Sequence, residues 1–180
     1  MGLVLELASA AETERLGRAV GERLRPGDVV VLSGPLGAGK TVLARGIGSG
    51  LGVRGPVTSP TFVIAREHPS LPGGRGVPLV HVDAYRLEGI AELDDLDLDT
   101  DLLAAAVVVE WGEGMAERLA EEHLLIRLGR PSSGPSDNHC DDRAEGRGDG
   151  RRIAQLRGPA RLIPEPACLA VPSRDETRDP

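Results

Sequence analysis

One stretch of the sequence has the residue types and spacing that bind phosphate. "GPLGAGKT", residues 34–41, matches the P-loop pattern Gly-x-x-x-x-Gly-Lys-Thr. Its glycines let the backbone curl so that amide N–H groups converge on phosphate oxygens. Lys40 can reach the β- and γ-phosphates of a nucleotide, and Thr41 offers a hydroxyl to Mg²⁺. Lys40 is the only lysine beside twenty arginines, which suits a position where a broad guanidinium would not enter a ring of amides.

The elements on either side of the P-loop (residues 34–41) are those that such a loop requires. Residues 28–33, "DVVVLS", form a β-branched run typical of a buried parallel strand. Residues 41–52 are the next helix candidate, which we expect to end early because glycines are poor helix formers. A helix start adds unpaired N–H groups and the positive end of the helix dipole. The predicted nucleotide-binding residues here are Gly34, Leu36, Gly37, Ala38, Gly39, Lys40, Thr41 and Val42.

Two carboxylates are candidates for a magnesium site. Asp83 ends the apolar run 79–83, and Glu110 follows the run 105–109. Ligands of open α/β sheets bind outside the carboxyl ends of the strands, where both side chains would project. We assign one of them to the Mg²⁺ shell and the other to metal binding or to orienting the attacking water, and the order stays open.

The rest of the chain predicts an α/β fold with three layers, a mostly parallel central sheet and a C-terminal antiparallel hairpin. Ser9 is expected to cap a helix, with Glu12 completing a capping box. Further strands are predicted at residues 3–7, 123–128 and 151–158, and a further helix at 113–122. By domain, we expect a P-loop core at 1–129, a disordered loop at 130–150, a returning strand at 151–163 and a disordered tail at 164–180.

The length and composition of the chain limit its possible partners and location. A chain of 180 residues is long enough for one domain with a buried core. The net charge of −7 and the three aromatic residues argue against strong independent nucleic-acid binding, which needs a basic surface and stacking platforms. The longest apolar run, residues 102–109, is too short to span a bilayer, and no basic signal-peptide start precedes the first apolar stretch. Two cysteines make no disulfide framework, so we expect a cytoplasmic protein without membrane contact.

Several motifs in order resemble one family. These are the P-loop with "LARG" after it, "TSPTF" at 58–62, "HVDAYRL" at 81–87 and "VVEW" at 108–111. Over residues 3–128 the chain resembles the bacterial P-loop ATPases of tRNA threonylcarbamoyladenosine biosynthesis, the TsaE family. The resemblance implies a γ-phosphate or magnesium role for Thr61, a Walker B role for Asp83 and a metal-site role for Glu110. It also implies that Trp111 lies near the nucleotide.

The same resemblance implies the function and the partners. Members of that family are Mg²⁺-dependent ATPases that use ATP and support threonylcarbamoylation of the adenosine beside the anticodon, in tRNAs that read codons starting with A. They join a transferase subunit of the TsaD type and its non-catalytic paralogue of the TsaB type. We expect weak hydrolysis by the isolated chain, because a phosphoryl-transfer site that lacks part of its positive charge is slow.

Two other functions stay open at this point. A small-molecule kinase would need an acceptor pocket and usually an arginine-bearing lid, for which residues 66–78 are the only candidate. A nucleotide-gated assembly module would use ATP occupancy without useful hydrolysis. A Glu110→Ala variant separates the gate from an enzyme, because only the enzyme role is lost with hydrolysis. Base specificity cannot be read from spacing, although the chain has no Asn-Lys-x-Asp element of the kind that GTPases carry.

The remaining candidates are weaker. Whether Arg86 or Arg45 supplies positive charge to the transition state stays open. His81 is expected to pack on its strand, Phe62 and Tyr85 to fill the core, and Trp111 to report nucleotide occupancy. Residues 95–102 resemble a calcium loop but lack its glycine and its final glutamate, which favours a solvated acidic face. A metal site at 138–142 is disfavoured because that segment lies in the predicted disordered loop.

Overall fold

The computed structural model of the protein describes residues 2–60, 64–86, 104–114, 120, 122–131 and 150–169. These residues form one seven-stranded sheet with two α-helices. The strands are β1 (Gly2–Leu7), β2 (Val29–Ser33), β3 (Ala65–His68), β4 (Leu79–Asp83), β5 (Ala106–Glu110), β6 (His123–Gly129) and β7 (Arg152–Arg157), and the helices are α1 (Ala10–Gly21) and α2 (Lys40–Leu51).

The sheet has the strand order β1-β7-β6-β2-β5-β4-β3. The four central strands β6, β2, β5 and β4 are parallel. Strand β7 runs antiparallel between β1 and β6, and β3 runs antiparallel to β4. The predicted α/β class, the mostly parallel sheet and the C-terminal antiparallel hairpin are confirmed.

Strand β2 is buried on both faces, which explains why its sequence shows no alternation of polar and apolar residues. Val30 and Leu32 pack in one apolar cluster with α1 and α2. Val29 and Val31 pack in a second cluster on the opposite face of the sheet. The strand ends at Ser33, so the P-loop begins at the carboxyl edge of a rigid, fully packed element.

Helices α1 and α2 cross with their backbones in contact. A Cβ atom on Gly17 would lie 2.3 Å from the Leu43 carbonyl oxygen, and one on Gly46 would lie 2.2 Å from the Glu14 carbonyl oxygen. Gly21 and Gly50 make the same kind of approach one turn further on. The expectation that α2 ends early is therefore wrong. The helix continues to Leu51 because its glycines allow a close packing that outweighs their low helix propensity.

We expect Gly46→Ala to destabilise the protein. Alanine would gain about 1 kcal/mol of helix propensity, but its methyl group would meet a backbone oxygen that no rotamer change can move. Overpacking of this kind costs about 1–3 kcal/mol or more, so we expect a net loss of about 2 kcal/mol in the free energy of unfolding, measured by denaturant titration. Ser49→Ala, on the exposed side of α2, is the control. Unchanged or raised stability of Gly46→Ala would contradict the backbone contact.

Other segments differ from the expectation or lie outside the described residues. Strand β3 was not predicted, because four residues with the sequence AREH show no apolar alternation. Residues Pro166–Leu169, in the segment expected to be disordered, form a 3-10 helix that contacts α1. The calcium-like segment 95–102, the candidate metal segment 138–142 and most of the predicted helix 113–122 are outside the described part. The described helices include none with the length and apolar character of a membrane span.

Candidate active site

A cleft of about 450 Å³ opens at the carboxyl edge of the parallel strands, above β2, β5 and β4. It brings together residues from the P-loop, the segment before β3 and the ends of two strands. Its lining consists of Leu36, Gly37, Gly39, Lys40, Thr41, Val42, Ser59, Asp83, Tyr85, Glu110 and Trp111.

The P-loop follows β2 directly and wraps around the start of α2. Gly34 has a φ of 140°, and a Cβ atom there would lie 2.2 Å from the Leu128 carbonyl oxygen, so only glycine fits. Gly39 precedes α2 and offers no side chain to cap it. The first N–H groups of α2 therefore meet no side-chain cap, which is the arrangement that binds phosphate at a helix N-terminus.

The ammonium of Lys40 lies inside the P-loop. Its Nζ donates hydrogen bonds to the carbonyl oxygens of Gly34 at 2.7 Å and of Pro35 at 2.9 Å. The same Nζ lies 3.6 Å from the centre of the Trp111 ring, within cation–π distance. Burial lowers the Lys40 pKa, and the negative charges of Glu110 and Asp83 act in the opposite direction. The structure thus places the lysine between carbonyl oxygens, an aromatic face and two acids.

Glu110 connects the P-loop helix to strand β4. The Thr41 hydroxyl lies 3.1 Å and 3.3 Å from its two carboxylate oxygens, and the His81 Nε2 atom lies 3.0 Å from one of them. His81 is fully buried, as expected for a residue packed on its strand, but it also contacts the acid. Because a carboxylate accepts, Nε2 is the donor. The buried Nδ1 has no hydrogen-bond partner among the described residues.

Asp83 faces the same cleft from the end of β4. Its carboxylate accepts hydrogen bonds from the Ser59 hydroxyl and the Tyr85 backbone N–H, each at 3.1 Å. Its own N–H donates to the Ile64 carbonyl oxygen at 2.8 Å. Thr61 lies outside the described residues, so its expected role stays a prediction.

Trp111 forms the wall of the cleft next to Lys40 and adopts a φ of 63°, which is unusual for a bulky side chain. Its N–H donates to the Leu32 carbonyl oxygen at 3.0 Å, which anchors the turn to β2. Just beyond it, Glu113 pairs with Arg127 of β6 and accepts a hydrogen bond from Ser33. The bond from Arg127, followed by that from Ser33, lowers the Glu113 pKa. The strained turn is therefore held at both ends.

Tyr85 differs from its expected role in the core. Its side chain is 64% exposed, and its ring packs against Trp111 with centroids 5.2 Å apart. Ser59 and Tyr85 were not predicted as site residues, although both lie inside motifs that were, at 58–62 and 81–87. Arg45 is on the exposed side of α2 and does not line the cleft, whereas Arg86 ends a short 3-10 helix after Asp83.

The donor set at this cleft fits magnesium. Thr41 supplies a hydroxyl, and Glu110 and Asp83 supply carboxylates, so every candidate ligand is a hard oxygen. Among the described residues, no group of three or more His, Cys, Asp or Glu side chains forms a complete metal cage. Mg²⁺ commonly binds through one or two carboxylates together with water and substrate phosphates, so the limited protein donor set is the expected one.

This loop on a mostly parallel α/β sheet defines a protein of the P-loop NTPase fold, a class of nucleotide-binding proteins. The sequence model of one protein family, described as "Threonylcarbamoyl adenosine biosynthesis protein TsaE", matches residues 7–136. The chain therefore belongs to the TsaE family. The resemblance predicted from the motifs is confirmed.

Individual relatives agree with the family model. A tRNA threonylcarbamoyladenosine biosynthesis protein TsaE from Streptomyces coelicolor is 61% identical over 123 residues, covering 68% of this chain and 82% of the relative. The protein of that name from Bacillus subtilis is 40% identical over 121 residues, covering 66% and 72% of the two chains. The crystal structure of Bacillus subtilis YdiB has a TM-score of 0.61 at 29% identity, and the match covers 87% of this chain and 84% of that one.

Proposed function

We propose that the protein is a Mg²⁺-dependent ATPase subunit that supports threonylcarbamoylation of the adenosine beside the anticodon in tRNAs reading codons that start with A. The observation that carries the proposal is the convergence of Lys40, Thr41 and Glu110 in the lining of one cleft. The tRNA pathway comes from the family to which the chain belongs. We expect this role to be carried out in the cytoplasm.

The residues that line the cleft have different proposed roles according to their positions. The amides of the P-loop and the Lys40 ammonium bind the phosphates and neutralise charge on them. Thr41 and Glu110, which already touch, would hold Mg²⁺, with Asp83 beside them as a second acid that binds metal or orients water. When bound, Mg²⁺ supplies Lewis-acid neutralisation of phosphate charge. Trp111 and Tyr85 wall the cleft, and Trp111, the only tryptophan, would report nucleotide occupancy.

Of the two arginines in the candidate lid of a kinase, Arg66 donates to the Thr58 hydroxyl at 3.3 Å, and Arg75 lies away from the cleft. In the segment predicted as a candidate lid, 66–78, Arg75 donates to the carbonyl oxygens of Gly21 and Leu24 at 2.6 Å and 2.9 Å, at the end of α1. Because α1 runs back from the carboxyl edge of the sheet, this arginine lies at the edge opposite the cleft. A lid arginine has to reach transferring phosphates, which Arg75 does not do in this position.

We expect slow, Mg²⁺-dependent hydrolysis of ATP by the purified chain that rises severalfold when a TsaD-type transferase subunit and its TsaB-type paralogue are added. Hydrolysis is measured by phosphate release, with Lys40→Ala as the blank. If the two subunits neither bind the chain nor change its rate of hydrolysis, the proposed partnership is wrong. A rate that is equal in Lys40→Ala would contradict the proposed site.

A further inference from the structure

Arg152 is the first residue of β7, and its guanidinium lies against the outside of the P-loop. Its Nε donates to the Ala38 carbonyl oxygen at 3.2 Å, and Nη2 lies 3.5 Å from the Gly37 carbonyl oxygen. The remaining Nη1 donates to the Arg151 carbonyl oxygen at 2.8 Å. Within the described part of the chain, Arg152 thus binds backbone carbonyls and pairs with no carboxylate.

The sheet register brings Arg152 to this place. In β7, Arg152 lies opposite Leu7, the last residue of β1, and Ile153 lies opposite Gly129, the last residue of β6. Both partners are at the carboxyl edge where β2 gives way to the P-loop. Arg157, at the other end of β7, pairs with Leu125 and is about 17 Å away along the strand.

The contact with Ala38 has a consequence for phosphate binding. A trans peptide is planar, so the Ala38 carbonyl and the Gly39 N–H belong to one rigid unit and point in opposite directions. Holding the carbonyl outward, toward Arg152, directs the Gly39 N–H inward, toward the concave side of the loop. The Ala38 N–H is already used by the Pro35 carbonyl oxygen at 3.2 Å, which leaves the Gly39 N–H as the one that this contact orients.

We propose that Arg152 is a positioning residue that holds the P-loop in the shape that receives the phosphates of a nucleoside triphosphate. This proposal rests on the proposed ATP-binding function of the same loop. The guanidinium acts through the backbone of Gly37 and Ala38 and does not need to touch the nucleotide. Its positive charge also lies on the outer side of a loop that must bind polyanionic phosphates, which favours binding further.

The test is a comparison of Arg152→Ala, Arg152→Lys and the control Arg157→Ala, using calorimetric titration with Mg²⁺-ATP and separately with Mg²⁺-tripolyphosphate. We expect Arg152→Ala to raise the Kd for both ligands by about tenfold, the effect of losing one or two hydrogen bonds from a charged donor. Lysine should restore part of the affinity, because one ammonium can still bind one carbonyl. In hydrolysis assays the KM should rise while kcat changes by less than about threefold.

Three results would overturn the proposal. One is an unchanged Kd for both ligands in Arg152→Ala. Another is a loss confined to ATP, because tripolyphosphate has no base and Arg152 would then contact the base. The third is an equal loss in Arg157→Ala, which would indicate a general charge effect. Melting temperatures show whether each variant folds. If Arg152→Ala does not fold, the Kd values of Arg152→Gln and Arg152→Lys are compared with that of the unaltered chain. Binding of neither ligand by the unaltered chain would overturn this proposal together with the proposed function.

Discussion

Replacement of Glu110 with glutamine is expected to lower the rate of ATP hydrolysis by about 10²–10⁴-fold, the range for losing a group that activates water or supports a metal. Glutamine keeps the size of the side chain and an oxygen that can accept from Thr41 or His81. The negative charge beside Thr41 is lost. We expect the Kd for ATP to change only a few-fold, because the P-loop amides and Lys40 remain. Single-turnover hydrolysis and calorimetric titration measure the two quantities.

Asp83→Asn is the matched comparison for Glu110→Gln. If loss of one acid raises the Mg²⁺ concentration needed for half-maximal hydrolysis, that acid is the principal metal ligand. The other acid then orients the attacking water. Because Thr41 already touches Glu110, whereas Asp83 binds Ser59, we expect the larger Mg²⁺ shift in Glu110→Gln. Retention of full hydrolysis by Glu110→Gln would contradict its role.

A substitution of Glu110 also distinguishes an ATPase from a nucleotide-gated assembly module. With the two partner subunits present, we expect the hydrolysis-deficient Glu110→Ala variant to stop repeated rounds of tRNA modification. If modification continues at the normal rate while hydrolysis is absent, occupancy of the P-loop is sufficient and the enzymatic interpretation fails.

Lys40→Arg is expected to lose nearly as much activity as Lys40→Ala, about 10²-fold or more in hydrolysis, even though it keeps the charge. The ammonium fits between the Gly34 and Pro35 carbonyl oxygens with the Trp111 ring 3.6 Å away. A guanidinium is planar and wider, so it cannot take this place without moving the strained turn at Trp111. Phosphate release and calorimetric binding of ATP compare the two variants with the unaltered chain.

Arg45→Lys is the control for a basic substitution on the same helix, because Arg45 is exposed and does not line the cleft. It should hydrolyse ATP at the normal rate. Near-normal activity of Lys40→Arg would show that charge alone is sufficient at this position, and the steric explanation for the single lysine would be wrong.

The parts of the structure that were predictable depend on local patterns. The run at 28–33, the P-loop and the strand ends at Asp83 and Glu110 each carry their signal within a few residues. A parallel sheet then requires the carboxyl ends of neighbouring strands to meet, so the convergence of these groups followed without knowledge of any distance. The cap at Ser9 also formed as predicted, with its hydroxyl accepting from the Glu12 N–H, but the Glu12 carboxylate accepts from the Ala8 N–H and not from the Ser9 N–H of a full capping box.

The parts that were not predictable depend on contacts between distant segments. The bond from His81 to Glu110 joins residues 29 positions apart, and the bond from Arg152 to Ala38 joins residues 114 apart. Although His81 lies inside the motif at 81–87, nothing in the local sequence shows which distant residue His81 or Arg152 contacts. The glycines of α2 were misread for the same reason, because helix propensity is local and the backbone contact with α1 is not.

The backbone contact between α1 and α2 also makes the two sides of the cleft mechanically unequal. Main-chain atoms in contact can neither repack nor change rotamer, so α2 and the P-loop form one stiff body with α1. On the opposite side, Ser59 contacts Asp83 and Tyr85 contacts Trp111 through their side chains, and side chains near the solvent can change rotamer. Displacements that accompany a cycle of binding and release should therefore concentrate in the residues that follow β4 and β5, such as Tyr85 and Trp111, and spectroscopic probes belong there.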